Sequence, residues 1–232
     1  MRSIEELINR QLNRWEMERR QRAEEIEKGV APEIKPIVTV SRQRGSRGAY
    51  IAERLADQLG YQLLYREIID EICKSSGYRR RIIESLDDRV RSRMELWFEG
   101  IFKGMYIDAS DYFKQLYRII MSVSEHGGVV VVGRAANFML SRDHGFHVRV
   151  VAAKPRRIAN LVQYEQLTPE QAEGEIRQYD KSRGEFVESN FHMNIDDPSV
   201  YDLVLNTTYL DVDEAVRIAE LGMQSKRKVL GS

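Results

Sequence analysis

Apolar positions along the chain follow one period and then another. Over residues 3–28 they recur at helical spacing: Ile4, Ile8, Leu12 and Trp15 form a narrow stripe, and Ile26 falls on the same face further on. Ser3 is placed to cap this helix, with Glu6 three positions later as the reciprocal capping-box partner. Arg19 and Arg22 interrupt the stripe. The stretch GVAPEIKP ends the helix, because Gly29 is a stop signal and Pro32 and Pro36 bar its continuation. A boundary is expected near residue 35, giving an N-terminal helical extension over 1–35 and a main domain over 36–230.

Beyond residue 35 short β-branched runs appear at PIVTV, YQLLY, VVVVG, FHVRVV and YDLVLNT, with helical segments between them. Several runs are continuously apolar, as strands covered on both faces are. Strands alternating with helices predict a parallel α/β sheet with helices on both faces. One helical stretch, 87–121, carries Trp97, Phe98, Phe102, Tyr106, Tyr112, Phe113 and Tyr117, with Gly100 and Gly104 as points of kinking or close approach. It is either a buried helical subdomain or a flap forming part of a substrate pocket.

Charge narrows the function. Lysine plus arginine and aspartate plus glutamate number 36 each in 232 residues, so the net charge is zero and nothing general points to nucleic acid or an anionic membrane. Within residues 1–35 eight basic residues are matched by eight acids, so the extension is not a basic arm. No apolar run approaches the roughly 20 residues that span a bilayer. Cys73 is the single cysteine, which excludes an intrachain disulfide and suits a reducing cytoplasm, the expected location. Histidines 126, 144, 147 and 192 lack metal-ligand spacing, and no Ser-His-Asp arrangement is visible. No protein-held metal is expected.

The chemistry concentrates in SRQRGSRGAY, residues 41–50, between the strand Ile37–Val40 and a helix from Ala49 with Ile51, Leu55 and Leu59 on one face. A glycine-bearing turn from strand to helix aims backbone N–H groups outward, and the helix N-terminus adds partial positive charge, so phosphate binds there without any side chain. The turn departs from G-x-x-x-x-G-K-[ST]: Arg42 stands where the first glycine belongs and Gly48 where the lysine belongs. Arg42, Arg44 and Arg47 surround the missing lysine. On this evidence alone the turn is either a phosphate site or a plain β–α connection with exposed arginines.

Four stretches in order, VTVSRQRGSRGAYIAERLADQLG, LLYREIIDEI, GGVVVVGRAANFML and DKSRGEFVESNFHMNIDDPSVYDLVLNTTYL, resemble the cytidylate kinase-like family of P-loop nucleoside monophosphate kinase relatives, over roughly 37–222. The resemblance implies a five-stranded parallel sheet in the order 2-3-1-4-5, a helical substrate-side insertion at about 66–125 and a lid at about 154–190. It implies ATP, with Mg²⁺ carried on the nucleotide, and phosphoryl transfer to a nucleoside monophosphate, CMP or dCMP. The family loop reads S-R-x-x-G-S-G-G, so the absent lysine is a family trait, and Arg47 replaces the third residue of its G-S-G-G. Arg47 either supplies the lost charge as a planar donor or blocks the backbone approach that glycine permits. The cradle implied is Arg42, Gly45, Ser46, Arg47 and Gly48; the catalytic set is Arg47, Arg156, Arg157 and Arg183; the acceptor set is Arg66, Arg134, Arg177 and Asp180. Val132 and Ala135 stand where the family's acids flank Arg134. Two other functions stay open: a nucleotide-binding regulatory module without turnover, and a kinase of another small molecule. Finally, Ile4, Ile8, Leu12 and Trp15 must pack on something. The proline-containing linker favours a second copy over the chain's own domain, and a homodimer through the N-terminal helix is expected.

Overall fold

The computed structural model describes residues 3–30, 35–86, 90–92, 94–96 and 111–230. Trp97, Phe98, Gly100, Phe102, Gly104 and Tyr106 of the aromatic stretch lie outside them. The strands are β1 (Val38–Arg42), β2 (Gln62–Leu64), β3 (Val129–Val132), β4 (Phe146–Val151) and β5 (Leu203–Asn206). They form one sheet in the order β2-β3-β1-β4-β5, with parallel pairs β1–β3, β1–β4 and β4–β5. The helices are α1 (Ile4–Glu27), α2 (Gly48–Leu59), α3 (Arg66–Lys74), α4 (Ser76–Glu84), α5 (Asp111–His126), α6 (Ala136–Met139), α7 (Lys154–Glu165), α8 (Pro169–Phe191) and α9 (Val212–Leu230). Val129 to Val132 are completely buried, as a continuously apolar run in a covered parallel sheet should be. No helix among the described residues is long and apolar enough to cross a membrane.

The chain divides into two compact units. One comprises residues 1–37 and 64–129; the other comprises 38–63 and 130–232 and holds most of the sheet. In the second unit α2 packs on α9, and the register sets Ser41 beside Arg149 and Thr39 beside His147. Thr39 Oγ1 and His147 Nδ1 lie 2.8 Å apart, and the Asp202 carboxylate accepts from the His147 amide at 2.7 Å. Asp202, just before β5, is thus a structural residue that ties the strand's entry to β4.

In the first unit the capping box forms as expected: Ser3 Oγ accepts from the Glu6 amide and Glu6 accepts from the Ser3 amide, both at 3.1 Å. The stripe is a correction to the sequence reading. Ile8, Leu12 and Trp15 are at most 1% exposed because α1 packs on α3 and α4 of the same chain, while Ile4 and Ile26 stay exposed. Trp15 stacks on His126 with ring centroids 4.6 Å apart and planes within 9°. The arginines that break the stripe explain the docking. Arg19 donates to the carbonyl of Glu84, the last residue of α4, and Arg22 to that of His126, the last residue of α5, both at 2.7 Å. A guanidinium at a helix C-terminus satisfies an orphan carbonyl and the negative end of the dipole together. Arg81 fixes the other side of α1 through Asn9, Asn13 and Glu16, each at 3.0 Å. The stripe thus gives no reason of its own for a second copy. In α5, Phe113 and Tyr117 are buried and belong to the core.

Burial and the nearby Arg22 push the His126 imidazole down to about 3, so it is neutral in the fold, with Ser85 Oγ 2.9 Å from Nε2. The unfolded chain takes up a proton near pH 6.5 that the folded chain refuses. This contribution is complete above pH 6.5 and falls by up to about 1.4 kcal/mol per pH unit as pH drops toward 3. Urea midpoints at pH 7, 6 and 5 should decline, and less steeply in His126→Asn; equal slopes would refute the assignment.

Candidate functional site

Residues 41–48 leave β1 at its carboxyl end and are tied to the neighbouring strands. Gln43 donates its amide to Val150 O at 3.0 Å and accepts from Ala152 N at 3.2 Å, and Gly133 N reaches Val40 O at 3.1 Å. Each carbonyl from 42 to 46 has a donor: Arg183 for Arg42, Ser46 for Gln43, Arg157 for Arg44, Asn160 for Gly45 and Thr207 for Ser46, at 2.9–3.3 Å. With its oxygens tied back, the loop presents nitrogens. Among the described residues the amides of Gly45, Arg47, Gly48 and Ala49 meet no protein acceptor. Four such donors at the start of α2 make an anion cradle.

The two glycines are needed for packing. A Cβ on Gly45, whose φ is +80°, would stand 2.6 Å from Arg157 O, and one on Gly48 would stand 2.5 Å from Arg42 Cβ. Arg47 has φ 61° and ψ 13°, the left-handed conformation that costs a non-glycine residue about 1–2 kcal/mol. Gly133, Arg134 and Ala135 repeat positive φ after β3. Such strain persists only where the surroundings impose it, and it concentrates at functional sites.

The cradle floors a cavity of about 470 Å³ walled by the loop and by Tyr50, Asn160, Leu161, Tyr164, Glu165 and Arg183. Arg44 is engaged by two helices at once: Nη1 donates to Glu165 of α7 at 2.7 Å and Nε to Glu175 of α8 at 2.9 Å. Burial alone would lower its pKa, but these two carboxylates outweigh burial and raise it. Asp180 accepts from the Arg44 amide with Oδ1 at 3.0 Å and from the Arg157 guanidinium with Oδ2. Burial lowers the Arg183 pKa, and nearby Asp180 opposes the shift; its guanidinium lies over Tyr179, 5.3 Å from the ring centre.

The residues predicted from sequence divide accordingly. Arg42, Gly45, Arg47, Gly48 and Arg183 line the cavity. Ser46 is fully buried inside the turn. Arg157, expected to be catalytic, is buried and braces the loop through Asp180 and Arg44 O. Arg156, its neighbour on α7, points elsewhere, into a second cleft with Pro155, Thr208, Tyr209 and Asp211. Arg177 is exposed and not among the cavity residues. Two steps of three residues on a helix diverge by about 120°, so Arg177 and Arg183 lie on either side of Asp180 on α8. Asp180 itself pairs with Arg157. Arg134 is half-buried beyond β3 and is not among the described residues that line this cavity. Arg66 belongs to the other unit, where it opens α3, 55% exposed and 3.8 Å from Asp70.

Sequence reasoning missed the role of Arg44, whose partners lie 121 and 131 residues away. It missed Tyr164 and Asn160 for the same reason. Tyr50 was legible, standing three positions after Arg47 at a helix start. It also missed Arg149, a buried arginine donating to Ser41 Oγ at 2.8 Å and Asp196 at 2.7 Å. Among the described residues no group of three or more His, Cys, Asp or Glu side chains could hold a metal ion.

A glycine-bearing turn with unpaired amides between the first strand and helix of a parallel sheet ordered 2-3-1-4-5 is the architecture of a P-loop kinase-type domain. Residues 37–209 match the cytidylate kinase-like family, and the chain belongs to it. An uncharacterised protein from Eubacterium ventriosum shares the fold at 22% identity and a TM-score of 0.65, over 82% of this chain and 99% of that one. A gluconokinase from Sinorhizobium meliloti matches at 12% identity and a TM-score of 0.51, over 86% and 97%. Curated protein sequences yield no match.

Asp180→Ala would leave the buried Arg157 guanidinium and the Arg44 amide without their acceptor. Breaking a fully buried pair costs about 3–5 kcal/mol. Since Asp180 is 29% exposed, about 2–3 kcal/mol is expected by urea denaturation. A loss below about 0.5 kcal/mol would mean that the brace is not formed.

Proposed function

We propose that the second unit binds a nucleoside triphosphate over residues 42–48 and that the protein transfers the terminal phosphoryl group to a small acceptor, a nucleoside monophosphate with CMP and dCMP first in line. The observation that carries this is the row of unpaired amides at Gly45, Arg47, Gly48 and Ala49 facing a cavity that Arg47 and Arg183 also line. Phosphoryl transfer asks a protein mainly for positioning and for neutralising charge on the transferred oxygens. Arg183 is suited to this, being half-buried and held by its bond to Arg42 O. Arg156 and the fully exposed ring of Tyr209 border the second cleft, of about 540 Å³, and a flat heteroaromatic base fits a guanidinium and a phenol ring there.

The residues fit phosphate better than they fit a metal. Ser46 Oγ is buried and donates to Gln43 O, while Glu165, Glu175 and Asp180 are each engaged by arginine. Magnesium would arrive on the nucleotide, where it screens the phosphate charge. The family assignment supports a kinase-like phosphotransferase; the identity of the acceptor and a cytoplasmic setting are part of the proposal. The same three carboxylates favour a second reading, a binding module without turnover, because they engage Arg44 and Arg157, two of the site's cations.

A coupled assay with Mg·ATP over a panel of monophosphates should give turnover with one of them. Arg183→Met should lower kcat/KM about 10- to 100-fold, the effect of one charge-assisted hydrogen bond. ATP binding with no product on any acceptor would establish the second reading. Absence of ATP binding would overturn both.

A further inference from the structure

The arginines of this site are held in two different ways. Arg44 also lies over a ring, 5.3 Å from the centre of Tyr179, but carboxylates occupy its N–H donors. Arg47 is held by rings alone. Its guanidinium carbon lies 4.6 Å from the ring centre of Tyr164 on α7 and 5.1 Å from that of Tyr50 on α2. Among the described residues its side chain has no hydrogen bond and no ion pair.

The difference matters chemically. A guanidinium has a flat face, which an aromatic ring attracts, and a rim of N–H donors, which an oxyanion takes. A carboxylate partner consumes the rim. A ring partner fixes the orientation of the group and leaves the rim available. All three side chains line the cavity that the free loop amides face. The strained backbone of Arg47 sets the root of its side chain at the first turn of α2, and the two rings set its tip.

We propose that Tyr164 and Tyr50 are positioning residues that hold Arg47 with its donors turned to the terminal phosphates of a triphosphate. The bracket rests on the reading of the loop as a triphosphate site. It decides between the two roles open for Arg47: the side chain is a ligand to phosphate, not an obstruction. It also makes α7 part of the phosphate site through a ring that touches no phosphate itself.

The experiment is titration calorimetry of the full chain with Mg·ATP and, separately, with inorganic tripolyphosphate. Tyr164→Leu should weaken both ligands about 2- to 5-fold, and Tyr164→Phe, which keeps the ring, should restore binding to within about 2-fold of the native protein. Arg47→Ala should weaken both by about 10-fold or more, and Tyr164→Leu should add nothing in that background. Tyr164 is 55% exposed, so melting temperatures should stay unchanged and separate this effect from misfolding. If native protein binds and Tyr164→Leu binds equally well, or weakens binding further in the Arg47→Ala background, the bracket is wrong and the triphosphate reading stands. Tighter binding by Arg47→Ala would make the side chain an obstruction and overturn the bracket too. If native protein binds neither ligand, both fall.

Discussion

The Asp180 carboxylate is the constraint on which the site depends. One oxygen takes the Arg44 amide and the other the Arg157 guanidinium, so one side chain on α8 fixes both the backbone of the loop and the arginine beneath it. Arg157 then reaches the Arg44 carbonyl, and its own carbonyl leaves no space for a side chain at Gly45. The cradle is therefore the last step of a chain that starts with a charge pair whose arginine is buried and whose carboxylate is half-buried. Such pairs contribute little net stability against an apolar alternative, but each partner is costly to lose alone.

A lysine in such a loop is a mobile point charge that reaches phosphate from one position. Here the positive charge is distributed. Arg44 ties the loop to α7 and α8, Arg47 stands at the cavity wall on two tyrosines, and Arg183 comes in from α8. A guanidinium suits that arrangement because it is planar and can be oriented by its face without losing its donors. The left-handed backbone of Arg47, a conformation costing about 1–2 kcal/mol, roots that side chain at the cavity wall.

Much of the fold was legible because it rests on local signals. The β-branched runs became the five strands, and Ser3 with Glu6 capped the first helix. The strand order came from family resemblance, since periodicity carries no information on which strands are neighbours. The destination of α1 was not legible: a count of apolar positions treats Arg19 and Arg22 as faults in a stripe, whereas both meet carbonyl ends of helices distant in sequence. At the site, the turn itself was readable from glycines between strand and helix. The division among its arginines was not, because Arg157 and Arg156 differ only in the side of α7 they face. The angle separating Arg177 from Arg183 needed only helix geometry and was available from the sequence.

The docking of α1 has a consequence for how the protein is made. Arg22 meets His126 across 104 residues, and the unit containing both is built from two separated stretches of chain. At about 5–20 residues per second, α1 leaves the ribosome roughly 5–20 s before its last partner. For that interval Ile8, Leu12 and Trp15 are an amphipathic surface without its cover, so the nascent chain passes through a window in which a chaperone, or another nascent chain, competes with α3, α4 and α5 for the same face.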